Sequence, residues 1–188
     1  MRAAPTGANG EPGEATEPSR SFTGGSSKEA MPEESLLARV ERHLASGCHA
    51  SALRELGEFL SLHPDTSRAH QLMGHALAAT GDAIGAIAAY DRATRLNFAL
   101  LESWRALTVL HRSRGDAAPA TRAEARVQQL EQLPEPVLTA TIELNDHKLH
   151  AAEKRCREFL RANPRNVEGM RLLASIGMQL GIVDDAEF

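Results

Sequence analysis

Cysteine is almost missing from this chain. Two residues in 188 cannot build a disulfide framework, and no C-x-x-C pair occurs. Aromatic residues are also scarce, at five Phe, one Tyr and one Trp, which disfavours a β-sandwich and suits Ala/Leu-rich helices. No run reaches the roughly 18 apolar residues that a membrane-spanning helix needs. No apolar segment of the kind a secretory signal carries follows Met1. The formal charge is −4, from 21 Lys+Arg against 25 Asp+Glu, so a basic field for nucleic acid is not expected. With 42% hydrophobic residues there is still enough for a core. The expectation is a soluble, cytoplasmic, all-α protein whose partners are neither nucleic acid nor membrane.

The charge is uneven. Residues 1–34 hold Arg2, Arg20 and Lys28 against Glu11, Glu14, Glu17, Glu29, Glu33 and Glu34, a balance of −3. They also carry Pro5, Pro12, Pro18, Pro32 and five glycines. Such a stretch buries too little apolar surface to offset its ordering entropy, which predicts a disordered tail. Met31 stands just before the first helical pattern, where translation could also start.

A repeat organises the rest. Gly47, Gly81 and Gly115 are spaced 34 residues apart, and five residues after each comes Ala52, Ala86 or Ala120. The series continues with Ala152 and Ala186, with Gly181 five before the latter. A glycine permits a tight turn between antiparallel helices. A small alanine lets the second helix approach the first. The clearest copy, 67–100, has Met73, Gly74 and Leu77 on one helix, then Ala86, Tyr90 and Ala93 on the next, with Asp82 placed as N-cap. In the following copy Pro119 falls in a first helical turn, where its missing N–H costs little.

This pattern resembles the tetratricopeptide repeat, whose consensus is matched by Trp104, Leu107, Gly74, Tyr90 and the alanine series. The resemblance implies a right-handed superhelical solenoid of antiparallel helix pairs over 35–188, in copies 35–66, 67–100, 101–134, 135–166 and a truncated 167–188. Helices are predicted near 35–46, 49–62, 67–80, 83–96, 101–114, 117–131, 135–146, 149–162 and 167–180. The third copy has Glu124 in the place of Tyr90, so its second helix should pack least well. The fourth is two residues short, begins Pro134-Glu135-Pro136 and has His147 at the turn glycine, which predicts an altered angle to copy three. The sequence ends early in a helix after Gly181, leaving Leu172, Leu173, Ile176 and Leu180 without a following helix. A fragment of a longer protein is the expectation, with self-association through that uncapped copy.

His147 and His150, with Asp146 beside them, have a spacing that could serve a metal, yet they span an inter-helix turn where solvated polar residues are usual. His43 and His111 stand where a bulky ring packs. Cys156 takes the place of Tyr90 on an inward face, as a small apolar filler, and Cys48 lies near the first turn. No H-E-x-x-H, phosphate-binding loop or G-x-S-x-G elbow occurs. No catalytic residue, metal ligand or cofactor-binding residue is assigned.

In the resembled fold, the first helix of each pair lines a concave groove. By register this shows Arg68, Gln71, His75, Glu102, Arg105, Arg112, Asn145, Arg171 and Gln179. Arginine predominates, so an extended protein segment bearing carboxylates would fit through charge-assisted bonds; arginines keeping a solvated face soluble is the plainer reading. A carboxylate clamp of Lys, Asn and Arg, known in some such domains, is not matched by Leu37, Glu41, Gln71 and His75.

From Trp104 onward a second resemblance appears. Ser103-Trp104-Arg105-Ala106-Leu107, Arg114-Gly115-Asp116-Ala117-Ala118, Gln132-Leu133-Pro134-Glu135-Pro136 and Glu158 through Glu168 look like the repeat region of bacterial proteins that join such repeats to a C-terminal sulfotransferase domain. Arg171 to Ala174 and Asp184 to Glu187 extend the likeness. That resemblance implies a catalytic domain using 3′-phosphoadenylyl sulfate, none of which lies within these residues. The leading expectation is a protein-interaction scaffold, with a non-catalytic front end of a sulfotransferase and a ligand-free spacer as alternatives.

Overall fold

The computed structural model describes residues 33–181. The predicted tail, the Met31 start and Ala186 therefore lie outside, or almost wholly outside, the described residues. Nine α-helices and no strands occur among the described residues: α1 (Glu33–Ala45), α2 (His49–Leu62), α3 (Ser67–Ala79), α4 (Ala83–Leu96), α5 (Leu101–Arg114), α6 (Ala117–Glu131), α7 (Glu135–Asn145), α8 (Leu149–Ala162) and α9 (Val167–Leu180). They begin and end at or close to the places that the 34-residue period predicts.

Each hairpin turn is closed in the same way. The N–H groups of Cys48, Asp82, Asp116 and Lys148 donate to the carbonyls of His43, Leu77, His111 and Glu143, at 2.8, 3.0, 2.9 and 2.8 Å. This closure needs a left-handed residue just before the donor. Gly47, Gly81 and Gly115 supply it with φ of 76°, 86° and 79°, while the fourth turn forces His147 to φ 59°. Asp82 caps α4 as expected, its Oδ1 accepting from Gly85 N–H at 2.8 Å. Asp116 does not cap α6; its carboxylate accepts from Arg114 Nε at 3.2 Å and meets His111 Nδ1 at 3.3 Å.

Size matching holds the pairs together. Ala52, Ala86, Ala120 and Ala152 are all buried, as close approach of the paired helices requires. One register position on each first helix corresponds to one on the second, always the same distance on in sequence: Val40 and Leu56, Gly74 and Tyr90, Thr108 and Glu124, Ala140 and Cys156. Where the second helix brings its largest ring, the first has no side chain. A Cβ on Gly74 would stand 2.7 Å from Tyr90 ring carbons. In the fourth copy the small Cys156 is buried and donates from Sγ to Gly169 O at 3.1 Å. Glu124 is only half-buried and pairs with Arg112 at 2.7 Å, so an ion pair replaces ring packing there.

The apolar core is not continuous. One cluster joins α1, α2 and α3 around Leu56 and Leu72, and another joins α3 to α6 around Tyr90 and Leu107. The third, around Leu144, Cys156 and Ile176, belongs to α7, α8 and α9. Helix α2 packs on α3, α4 on α5 and α8 on α9, whereas α6 and α7 are not a closely packed pair. The Pro134-Glu135-Pro136 start of α7 and the short fourth copy account for this break in stacking.

The last copy differs from expectation. Ile176 is fully buried, and Leu172, Leu173 and Leu180 pack back against the α7–α8 core instead of facing forward. The large apolar side chains exposed on α9 are Val167, Met170 and Met178. No described helix is long and apolar enough to cross a membrane.

Candidate functional site

Because α6 does not carry α7, a polar cluster fixes α7 instead. Asn97, at the C-terminal end of α4, is completely buried. Its Nδ2 donates to Asp146 Oδ1 at 2.8 Å and to the Ile142 carbonyl at 3.0 Å. Its Oδ1 accepts from Ala99 N–H at 3.1 Å and from Asn145 Nδ2 at 3.3 Å. Buried Ser67, at the start of α3, donates to the same Asp146 oxygen at 2.7 Å. Every polar atom of the Asn97 amide group thus has a partner, which is what burial of an amide demands.

That cluster closes one end of a cavity of about 1050 Å³. Its walls are the first turns of α3 and α5, the end of α4 and one side of α7. Leu37, Leu96, Leu100, Leu101, Leu138 and Ile142 give it an apolar lining. Its charged groups are largely neutralised by partners: Glu102 by Arg105 at 2.7 Å, Asp65 by Arg92 at 2.7 Å, Glu143 by Arg155 at 2.8 Å, and Arg68 by Glu41 at 2.7 Å. Charge-balanced walls around leucines favour a ligand recognised by apolar side chains.

Of the residues the sequence places in a groove, Arg68, Gln71, Glu102 and Asn145 line this cavity. Gln71 is buried and accepts a hydrogen bond from Arg68 Nη1. His75, Arg105, Arg112, Arg171 and Gln179 are not in the lining. His75 is half-buried with its ring edge-on to Tyr90, centroids 5.5 Å apart. Burial and then nearby Arg68 hold its pKa below 6.5.

The arginines that the sequence places in the groove are each paired with a carboxylate. Arg68 pairs with Glu41, Arg105 with Glu102 and Glu131, Arg112 with Glu124, and Arg171 with Glu168. The partners come from neighbouring turns or from helices 12 to 27 residues away, which register along one helix does not show.

Among the described residues no three His, Cys, Asp or Glu side chains gather as a metal site would require. His147 is exposed, and His150 is exposed with Glu153 at 4.0 Å. Cys48 is exposed, while burial pushes the Cys156 thiol up.

Residues 28–113 match the family described as Bacterial transcriptional activator domain, and residues 138–187 match Tetratricopeptide repeat. No curated protein sequence matches the chain. Similar solved structures include MamA (41-end) from Desulfovibrio magneticus RS-1, at 17% identity over 84% of this chain and 91% of that one, TM-score 0.49. Another is a tetratricopeptide repeat protein from Parabacteroides merdae, at 14% identity over 80% of this chain and 60% of that one, TM-score 0.48. The fold is thus a tetratricopeptide-like array of antiparallel helix hairpins, all four closed in the same way, and its C-terminal part matches the Tetratricopeptide repeat itself.

Proposed function

We propose that the chain is a protein-interaction scaffold that holds an apolar-anchored segment of a partner protein in the cavity between α3, α5 and α7. One observation carries this reading: a space of about 1050 Å³ lined by six large aliphatic side chains, whose charges are mostly answered within the chain. A segment with two or three apolar side chains would displace water there, each buried side chain contributing roughly 1.5–3 kcal/mol before the costs of ordering. The repeat architecture supports the reading, since stacked helix pairs commonly serve as binding surfaces.

The test is affinity capture from the native cell extract with the wild-type chain and with Leu101→Glu/Leu138→Glu, both checked for helix content. A photo-crosslinker at Thr139, inside the cavity wall, would report which partner segment enters. The expected result is a partner held by the wild type, lost by the variant, and crosslinked through an apolar segment. A partner held equally by both proteins would defeat the reading.

A second reading is favoured by the residues from Trp104 onward: that these repeats form the non-catalytic front of a sulfotransferase. Coding sequence beyond Phe188 decides it. A sulfotransferase domain following in frame would support it, and a stop or an unrelated domain would remove it.

A further inference from the structure

The uncompensated arginines lie on the other side of α5 from the cavity just described. Successive helical residues turn by about 100°, so Glu102 faces one side while Trp104, Leu107 and His111 face roughly the opposite one. There a second cavity of about 620 Å³ opens, with Arg95 of α4 on one wall and Arg122 and Arg126 of α6 on the other. Trp104 and Leu107 also line it. The indole N–H is already bonded to the Phe98 carbonyl at 2.8 Å, so the ring contributes apolar surface and not a donor.

Unlike the arginines near the first cavity, these three have no carboxylate partner among the described residues. Arg126 donates only to the neutral Gln129 at 3.0 Å. The cavity's single carboxylate, Asp91, forms no ion pair with any of them. All three guanidinium-bearing residues are exposed. Three cations around an apolar floor, left unanswered where most other arginines among the described residues are paired, make an anion-selective groove.

We propose that this α4–α5–α6 groove docks an acidic, extended segment of a partner protein. Arg122 and Arg126 sit one turn apart on α6, about 6 Å along the axis. Side chains two residues apart on an extended strand are separated by nearly the same distance, about 6.6 Å. Two such carboxylates would meet these two guanidinium groups, a third acidic group would meet Arg95, and an apolar side chain would cover Trp104 and Leu107. The groove exceeds the space of a lone phosphate. This site is independent of the cavity between α3, α5 and α7, and neither stands or falls with the other.

Trp104, the chain's one tryptophan, reports occupancy directly. The full chain would be titrated, with tryptophan emission recorded, using a synthetic peptide of alternating glutamate and leucine, its lysine counterpart, inorganic phosphate, and a short single-stranded oligonucleotide. The expected result is a saturable change with the acidic peptide alone, weakening as salt screens it. Arg95→Gln/Arg122→Gln/Arg126→Gln should weaken binding about tenfold or more, since each exposed ion pair is worth up to about fivefold. A control of equal charge change, Arg42→Gln/Arg161→Gln/Arg165→Gln, should bind like the wild type. Equal loss in both triple variants would show bulk charge attraction and overturn the proposal. So would the absence of a saturable response, or binding of phosphate or oligonucleotide as tight as that of the peptide.

Discussion

Asn97 reaches Asp146, 49 residues further along the chain, through a 2.8 Å hydrogen bond between two helix ends. The same Asp146 oxygen accepts from Ser67, so the two ends of the α3–α4 hairpin both meet the α7–α8 hairpin at one carboxylate. This junction stands where the regular stacking of α6 on α7 is lost. Asn97→Ala should destabilise the chain by about 2–3 kcal/mol, because it strips partners from buried groups at Asp146, Ile142 and Ala99. Ser67→Ala should cost about 1 kcal/mol, and the double variant should cost less than the sum because both serve one acceptor. Urea unfolding of the four proteins gives the cycle. Hydrogen exchange should accelerate first in α7 to α9. Strict additivity, or unchanged exchange there, would mean that the junction does not hold α7.

Two helical glycines should respond to alanine with opposite signs. Gly57 on α2 is exposed and has open space where a Cβ would go, so Gly57→Ala should stabilise by about 0.5–1 kcal/mol through helix propensity. At Gly74 the same added carbon meets Tyr90 ring carbons at 2.7 Å. The overpacking cost of about 1–3 kcal/mol should exceed the propensity gain and leave a net loss. Placing Tyr90→Leu beside Gly74→Ala should recover part of it, by making room. Thermal melts of the three single variants and the pair check both signs.

How far the sequence discloses this protein follows from the range of each interaction. The hairpins are legible because a turn glycine and a close-packed alanine recur 34 residues apart, and both needs are local. The weak α6–α7 joint is foreshadowed by Pro134-Glu135-Pro136 and the shortened copy. What replaces the missing stacking is not foreshadowed: Asn97 occupies the same helix-ending position as His63 and Asn163, and nothing in the period singles it out. Register identifies which arginines share a face with the cavity, but not that Glu41, Glu131 and Glu124 have already taken them. The unanswered set, Arg95, Arg122 and Arg126, sits on second helices, where attention to the first helices does not lead.

His147 marks a place where the repeat is used without its glycine. At φ 59° a side chain crowds its own backbone, at a cost of roughly 1 kcal/mol. His147→Gly should therefore raise stability by a few tenths to about 1 kcal/mol, since relief of the strain is partly offset by the greater freedom of glycine in the unfolded chain. Gly115→Ala, which introduces the same conflict at φ 79°, should lower stability by about 1 kcal/mol. Parallel denaturant titrations are sufficient. A loss at position 147 would show that the imidazole makes a compensating contact.

The pH dependence of stability should carry the signature of His75. Burial and the nearby Arg68 charge depress its folded-state pKa below the ordinary 6.5, against a smaller opposing pull from Glu102. The folded chain thus binds a proton less readily than the unfolded one, and stability rises with pH wherever the unfolded state holds more protons. This contribution is complete above about pH 6.5 and is lost as acid carries the solution down through 6.5 toward the lower folded value. Asp116 has the same sign at a more acidic range: hydrogen bonds from His111 and Arg114 hold its carboxyl below the ordinary 3.8, so its share disappears only below that value. His75→Gln should flatten the slope just below pH 6.5 and leave the acid limb unchanged. Urea midpoints taken at intervals from pH 7.5 to 3 separate the two, and a wild-type slope that survives the substitution would assign the titration to another group.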